Sequence, residues 1–239
     1  MKGFGDQHKS KKKRQKKSKP SKEQIINQAL QFHSQGNISE AAKYYQHLIT
    51  QGCNDHRVFS NYGIILKDLN KLKEAELSFY KATEIKPDYA EGHSNLGNIL
   101  KDLGKFEDAE MSYRKAIEIK PDYAEAYANL GHILKVLGKF EDAEMSYRKA
   151  TEIKPDYAEG HSNLGNILKD LGKFEDAEMS YRKAIEIKPD YAEAYFNLGI
   201  LLRILGKFED AKLCSEKIMS LRSWSILGSY SFNAEMKLD

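Results

Sequence analysis

This chain of 239 residues has little for covalent stapling or metal chemistry: its only cysteines are Cys53 and Cys214. They stand near opposite ends of a body expected to be elongated, so an intrachain disulfide is not expected and a reducing, cytoplasmic compartment fits. No apolar run approaches the ~18 residues of a membrane span. Met1–Pro20 lacks the apolar centre of a secretory signal. No Cys/His set has metal-ligand spacing, the glycine-rich phosphate loop is missing, and Gly-x-Ser-x-Gly does not occur. An enzyme is therefore not expected, nor is a cofactor or a metal.

Proline is also scarce, but it is not scattered. Pro87, Pro121, Pro155 and Pro189 are each 34 residues apart. Gly63, Gly97, Gly131, Gly165 and Gly199 keep that spacing, as do Ala75, Ala109, Ala143, Ala177 and Ala211. The segment Ala90–Tyr123 returns without one change at Ala158–Tyr191. Gly92 matches Gly160 and Ala126-Tyr127 matches Ala194-Tyr195, which points to a duplicated block of 68 residues. A fixed period of this size signals stacked helical units.

One unit reads as two helices. Helix A runs roughly Ala90–Leu103, Gly104-Lys105 turns the chain, helix B runs roughly Phe106–Ile119, and Lys120-Pro121-Asp122 ends it. Gly104 can adopt the positive φ of a tight helix end, and Asn70 takes that place in the preceding unit. Leu96, Leu100 and Leu103 recur at helical spacing, as do Phe106, Ala109, Tyr113 and Ala116. Gly97 and Ala109 are expected to face each other where the two helices cross.

The pattern of His93 or Tyr127, Leu96, Gly97, Leu100, Ala109, Tyr113, Ala116 and Pro121 resembles the tetratricopeptide repeat, TPR. The resemblance implies an all-α solenoid, a right-handed superhelix of antiparallel helix pairs, whose A helices line a concave, protein-binding face. Six units are expected: 22–55 as a degraded cap, then 56–89, 90–123, 124–157, 158–191, and 192–225 as a second degraded cap. Residues 226–239 leave the period and read either as a capping segment or as the lead into a further domain; Trp224 and Ile226 are candidates for a lid over the last pair. High Lys, Asn and Ile content with near-identical units suits a bacterial source, cyanobacteria included.

The charge is divided. Residues 1–22 hold ten Lys/Arg and one Asp, while the other 217 hold 28 basic and 34 acidic residues. Residues 1–21, with Lys11, Lys12, Lys13, Arg14, Lys16, Lys17 and Lys19, read as a disordered basic tail. Residues 9–19 could meet nucleic acid, an anionic surface or an acidic protein; the plainer alternative is a solvated tail.

The candidate binding residues lie on helix A. With Ala90 as position 1 of its unit, positions 2, 5, 6, 9, 12 and 13 are expected to form one open stripe. Position 6 is Asn61, Asn95, Asn129, Asn163 and Asn197. An amide both donates and accepts, so a ladder of them can pair with the backbone of an extended peptide. Position 12 is Lys67, Lys101, Lys135, Lys169 and Arg203; position 2 is Glu91, Glu125, Glu159 and Glu193. Together these would form rails of opposite sign that steer a charged peptide. The competing readings are asparagines that serve the fold and an ordinary solvated helix surface.

The asparagine ladder is similar to that of the TPR part of protein O-linked N-acetylglucosamine transferases. It is also similar to part of the carboxylate clamp of chaperone-binding TPR proteins, but position 5 here is Ser60, Ser94, Ala128, Ser162 and Phe196 in place of the clamp lysine. The expected function is a non-catalytic scaffold that binds a protein or peptide in the concave groove. Two alternatives are an adaptor acting through the basic tail and a substrate-binding module related to TPR-containing glycosyltransferases.

Overall fold

The computed structural model describes residues 21–235, with side chains to residue 221. Residues 1–20 of the expected basic tail lie outside these residues, and so do the side chains of Trp224 and Ile226; Ser21, the last residue assigned to the tail, instead caps α1. The described residues form twelve helices and no strand. They fall into two compact units.

The first unit contains α1 (Lys22–Ser34) and α2 (Ile38–Thr50), packed on each other. Ser21 and Gln24 close a reciprocal cap at the start of α1. Each satisfies a backbone N–H that the first helical turn leaves without a partner. Ile26, Ala29, Ala41 and Tyr45 form its buried seam.

The second unit holds five helix pairs: α3 (His56–Asp68) with α4 (Leu72–Ile85), α5 (Ala90–Asp102) with α6 (Phe106–Ile119), α7 (Ala124–Val136) with α8 (Phe140–Ile153), α9 (Ala158–Asp170) with α10 (Phe174–Ile187), and α11 (Ala192–Ile204) with α12 (Phe208–Glu235). Each B helix also packs on the next A helix, and successive A helices touch from α5 to α11. This unit is an all-α solenoid. The last helix differs from its counterparts: α12 has 28 residues, where α6, α8 and α10 have 14 each.

The A-to-B turns follow from glycine. Gly104, Gly138, Gly172 and Gly206 have φ between 73° and 75° or, at Gly172, 72°, and Asn70 takes the same left-handed conformation at 56°. That conformation lets Lys105 N–H reach the Leu100 carbonyl at 2.8 Å, satisfying a carbonyl the helix end would otherwise leave open.

Where the paired helices cross, an aromatic ring occupies the space beside Gly97. A methyl added at Gly97 would come within 2.8 Å of the Tyr113 ring, so the glycine makes room for that aromatic. Tyr147 and Tyr181 fill the same space beside Gly131 and Gly165. The tyrosines are buried with Leu96, Leu100, Ile99 and their copies in one continuous core. In the last pair Ser215 stands in the tyrosine's place, and the side chain nearest Gly199 is the buried Cys214. Cys53 and Cys214 are both buried free thiols.

Candidate functional site

The A helices bring the asparagines to one register of the second unit, and all five are half-buried. Their bonding differs. Asn61 Nδ2 donates to the Arg57 carbonyl of its own helix at 2.7 Å. Asn129 Nδ2 donates to Asn98 Oδ1 at 3.3 Å, and the same oxygen accepts the Tyr113 hydroxyl at 2.8 Å. Asn95, Asn163 and Asn197 make no hydrogen bond within the described protein. Thus two members of the ladder serve the fold, at least in part, and three keep their amides available.

Position 5 does not lie in the open stripe. Ser60, Ser94, Ala128 and Ser162 are buried, and Ser60 Oγ lies 3.3 Å from the Tyr89 hydroxyl, which packs over it from the end of the unit. Phe196 alone among them is exposed.

The acidic rail is also not free. Lys120, Lys154 and Lys188 approach Glu91, Glu125 and Glu159 at 3.8, 3.2 and 3.5 Å. The same lysines lie over the rings of Tyr123, Tyr157 and Tyr191 at 4.8–5.1 Å. Position 2 therefore ties helix A to the end of helix B within these three units. Such exposed pairs contribute ~0–1 kcal/mol each.

The basic row is more open. Lys135 Nζ pairs with Asp170 of the next A helix at 2.7 Å, while Lys101 stands 3.9 Å from Asp102. Lys67, Lys169 and Arg203 form no ion pair within the described protein. His132 stands outward near Lys101 and Lys135. Partial loss of water around its ring, then the two lysine charges, hold its pKa below the ordinary histidine value.

His93 and His161 serve structure. Each ring Nε2 lies about 3 Å from a backbone carbonyl, that of Pro87 and of Pro155 respectively. Burial holds both imidazoles toward the neutral form. Among the described residues no group of His, Cys, Asp or Glu has the arrangement of a metal site. No helix there is long and apolar enough to cross a membrane.

Two features of the B-helix side were not anticipated. The turn lysines bridge neighbouring units: Lys105, Lys139, Lys173 and Lys207 pair at 2.6–2.8 Å with Glu76, Glu110, Glu144 and Glu178 of the preceding B helix. The recurrent Gly-Lys dipeptide therefore links units beyond making the turn. Four open clefts also lie between successive B helices, with volumes of about 550, 430, 410 and 330 Å³. Their floors hold Tyr127, Tyr195, His161 and His93, so they alternate in character with the 68-residue duplication. Met145, Leu213, Met179 and Met111 stand exposed at their rims. The sequence signal was an apolar residue on the polar side of helix B, repeated every 34 positions. None of the ladder asparagines lines these clefts.

Sequence profiles agree with this architecture. The TPR repeat profile matches residues 63–104, 97–138, 131–172 and 165–206, and a tetratricopeptide repeat profile matches 192–223. These matches cover well over half of the chain, which belongs to the tetratricopeptide repeat family and is a protein-interaction scaffold. Among solved structures, MamA is 24% identical with a TM-score of 0.65, covering 69% of this chain and 96% of its own. YrrB, described as a TPR protein with an unusual peptide-binding site, is 20% identical with a TM-score of 0.63, covering 80% and 99%. PilF of Pseudomonas aeruginosa is 16% identical with a TM-score of 0.72, covering 88% and 96%. At these identities the likeness speaks for the fold. Among curated proteins none matches the chain.

Proposed function

We propose that the chain is a non-catalytic, cytoplasmic scaffold whose A-helix face binds an extended segment of a partner protein. One observation carries this reading: Asn95, Asn163 and Asn197 hold half-buried amides at one helical position, with no partner inside the described protein. A half-buried amide without a partner has lost part of its hydration, and an incoming peptide backbone can replace it with both a donor and an acceptor. Neighbouring Lys169 and Arg203, which form no ion pair within the described protein, favour acidic side chains or a terminal carboxylate on the ligand.

The test uses a partner recovered with the full chain by pull-down and then purified. Its affinity for wild type and for the Asn95→Ala, Asn163→Ala, Asn197→Ala variant is measured by calorimetry, after circular dichroism has shown the variant to be folded. Loss of a buried hydrogen-bonding group costs ~1–3 kcal/mol, and a solvated groove less. The three losses together should weaken binding at least tenfold, about 1.4 kcal/mol. Unchanged affinity in the folded variant would move the binding surface to the B-helix clefts or the tail. An unfolded variant would make the asparagines structural.

A further inference from the structure

Helix α11 is apolar at three places on one side where α5 and α9 are polar; α3 and α7 are apolar there only in part, at Ile64 and at Ala128 and Val136. Phe196, Ile200 and Ile204 occupy positions 5, 9 and 13, where α9 carries Ser162, Asn166 and Asp170. Spacing of four residues puts the three on one helical face. They are 59%, 37% and 58% exposed, so the substitution adds nothing to the core.

The charges beside this stripe follow from the repeat. Lys135 reaches from position 12 of α7 to Asp170 at position 13 of α9. Lys169 stands one unit further on, where the corresponding position of α11 is Ile204 in place of a carboxylate. Arg203, next to Ile204, also forms no ion pair within the described protein. Two uncompensated cations therefore border the Ile204 end. At the other end Glu193 precedes Phe196 by three residues, so the stripe has a basic end and an acidic end.

We infer that this α9–α11 surface takes an acidic–apolar peptide: bulky apolar side chains on Phe196 and Ile200, and aspartate or glutamate residues toward Lys169 and Arg203. The inference rests on the peptide-binding reading and names its ligand class. Charge complementarity selects this occupant. A second copy docked parallel on the same patch by two-fold symmetry would set Lys169 and Arg203 against like charges, and an antiparallel copy would offer those two cations only Glu193, leaving one of them unmet. The segment 1–22, with its ten Lys/Arg, has the wrong sign.

The test is fluorescence anisotropy of the full chain with three labelled synthetic peptides. One joins a Phe-Leu pair to an Asp-Glu run, the second replaces the acids by Lys, and the third replaces Phe-Leu by Ser-Asn. The first should bind at least tenfold tighter than either control. The Phe196→Ser, Ile200→Asn, Ile204→Asp variant gives α11 the residues of α5 and α9 at these positions and should abolish this preference while its circular dichroism stays unchanged. Lys169→Glu with Arg203→Glu should shift the preference toward the Lys peptide. No saturable binding of the acidic probe, equal binding of all three, or binding that survives the triple variant overturns the inference. So does a wild-type dimer in sedimentation that the triple variant dissolves, since the stripe would then be a self-contact. If the probe fails while the asparagine variant still weakens the purified partner, only the ligand class falls. If the asparagine variant has no effect while the stripe variant does, the ladder reading falls and the stripe remains.

Discussion

Two glycines at one position of the repeat should respond to the same substitution with opposite signs. Gly165 lies in α9, and a methyl added there would come within 2.6 Å of Tyr181 Cε1. That ring is fully buried, and its hydroxyl donates to Asn166 Oδ1 at 2.8 Å, so it is held at its polar end too. At Gly199 in α11 the nearest atom is Cys214 Cβ at 3.4 Å, an ordinary contact. Replacing glycine by alanine inside a helix gains about 0.8–1.0 kcal/mol from the backbone. Forcing a methyl into a packed core costs ~1–3 kcal/mol, and a shortfall of about 1 Å against normal contact puts Gly165 in the upper part of that range. Gly165→Ala should therefore destabilise by ~1–2 kcal/mol, and Gly199→Ala should stabilise by ~0.5–1 kcal/mol. Urea titration of the full chain, followed by helical circular dichroism, should show the midpoint fall in the first variant and rise in the second. A third arm isolates the cause: in a Tyr181→Ser background, Gly165→Ala should become stabilising because the obstructing ring is gone. Midpoints that move the same way in both single variants would refute the reasoning, as would a Gly165→Ala penalty that persists without the ring.

Acid should loosen the links between units. Lys207, then Arg182, holds the Glu178 carboxyl below its ordinary range; at Glu110 and Glu144 burial pushes upward, but the facing lysine and arginine outweigh it. A lowered folded-state pKa means stability that is present above the unfolded value, about 4.3, and is lost as pH falls through the folded one. Thermal melts should thus shift down below pH ~4.3, and less so in a Glu110→Gln, Glu144→Gln, Glu178→Gln variant, whose equal loss would remove these pairs from the account. Deleting residues 1–20 should leave the helical signal intact and weaken heparin binding, with a steep salt dependence; unchanged heparin binding would place the basic contact in the folded body.

What the sequence made legible was whatever depends on position along one helix. The turns at Gly104 and Asn70 could be read because their left-handed backbone is a local demand, met by few residue types. The leucine stripe could be read because helical spacing alone collects it on one face. Contacts between paired helices were less accessible. Gly97 and Ala109 are both small, but the side chain that fills the space beside Gly97 starts at Tyr113, one turn further along helix B. Glu91 looked like part of a free rail because its partner Lys120 is 29 residues away and approaches only when the two helices pair. Position 5 looked open because a helical wheel does not contain the tyrosine that closes over it, Tyr89 over Ser60.

The last unit shows which polar residues depend on such neighbours. Ser60 at position 5 meets Tyr89, the tyrosine that ends its unit. An asparagine at position 9 accepts the hydroxyl of the helix B tyrosine, as Asn98 accepts from Tyr113 and Asn166 from Tyr181. In the last unit both tyrosines are replaced, by Ser225 and Ser215, and both of their polar partners are replaced too, by Phe196 and Ile200. Those exchanges can be understood within the chain: once the tyrosines are gone, neither polar group has its partner. Ile204 differs. The residue that a carboxylate at position 13 would meet is Lys169, and Lys169 is present. Here the acid is absent and the base stays: Ile204 stands where α9 has Asp170, as Val136 does in α7, while Lys169 is half-buried and Ile204 exposed. Nothing in the packing of α11 requires that arrangement, and an acidic ligand would complete it.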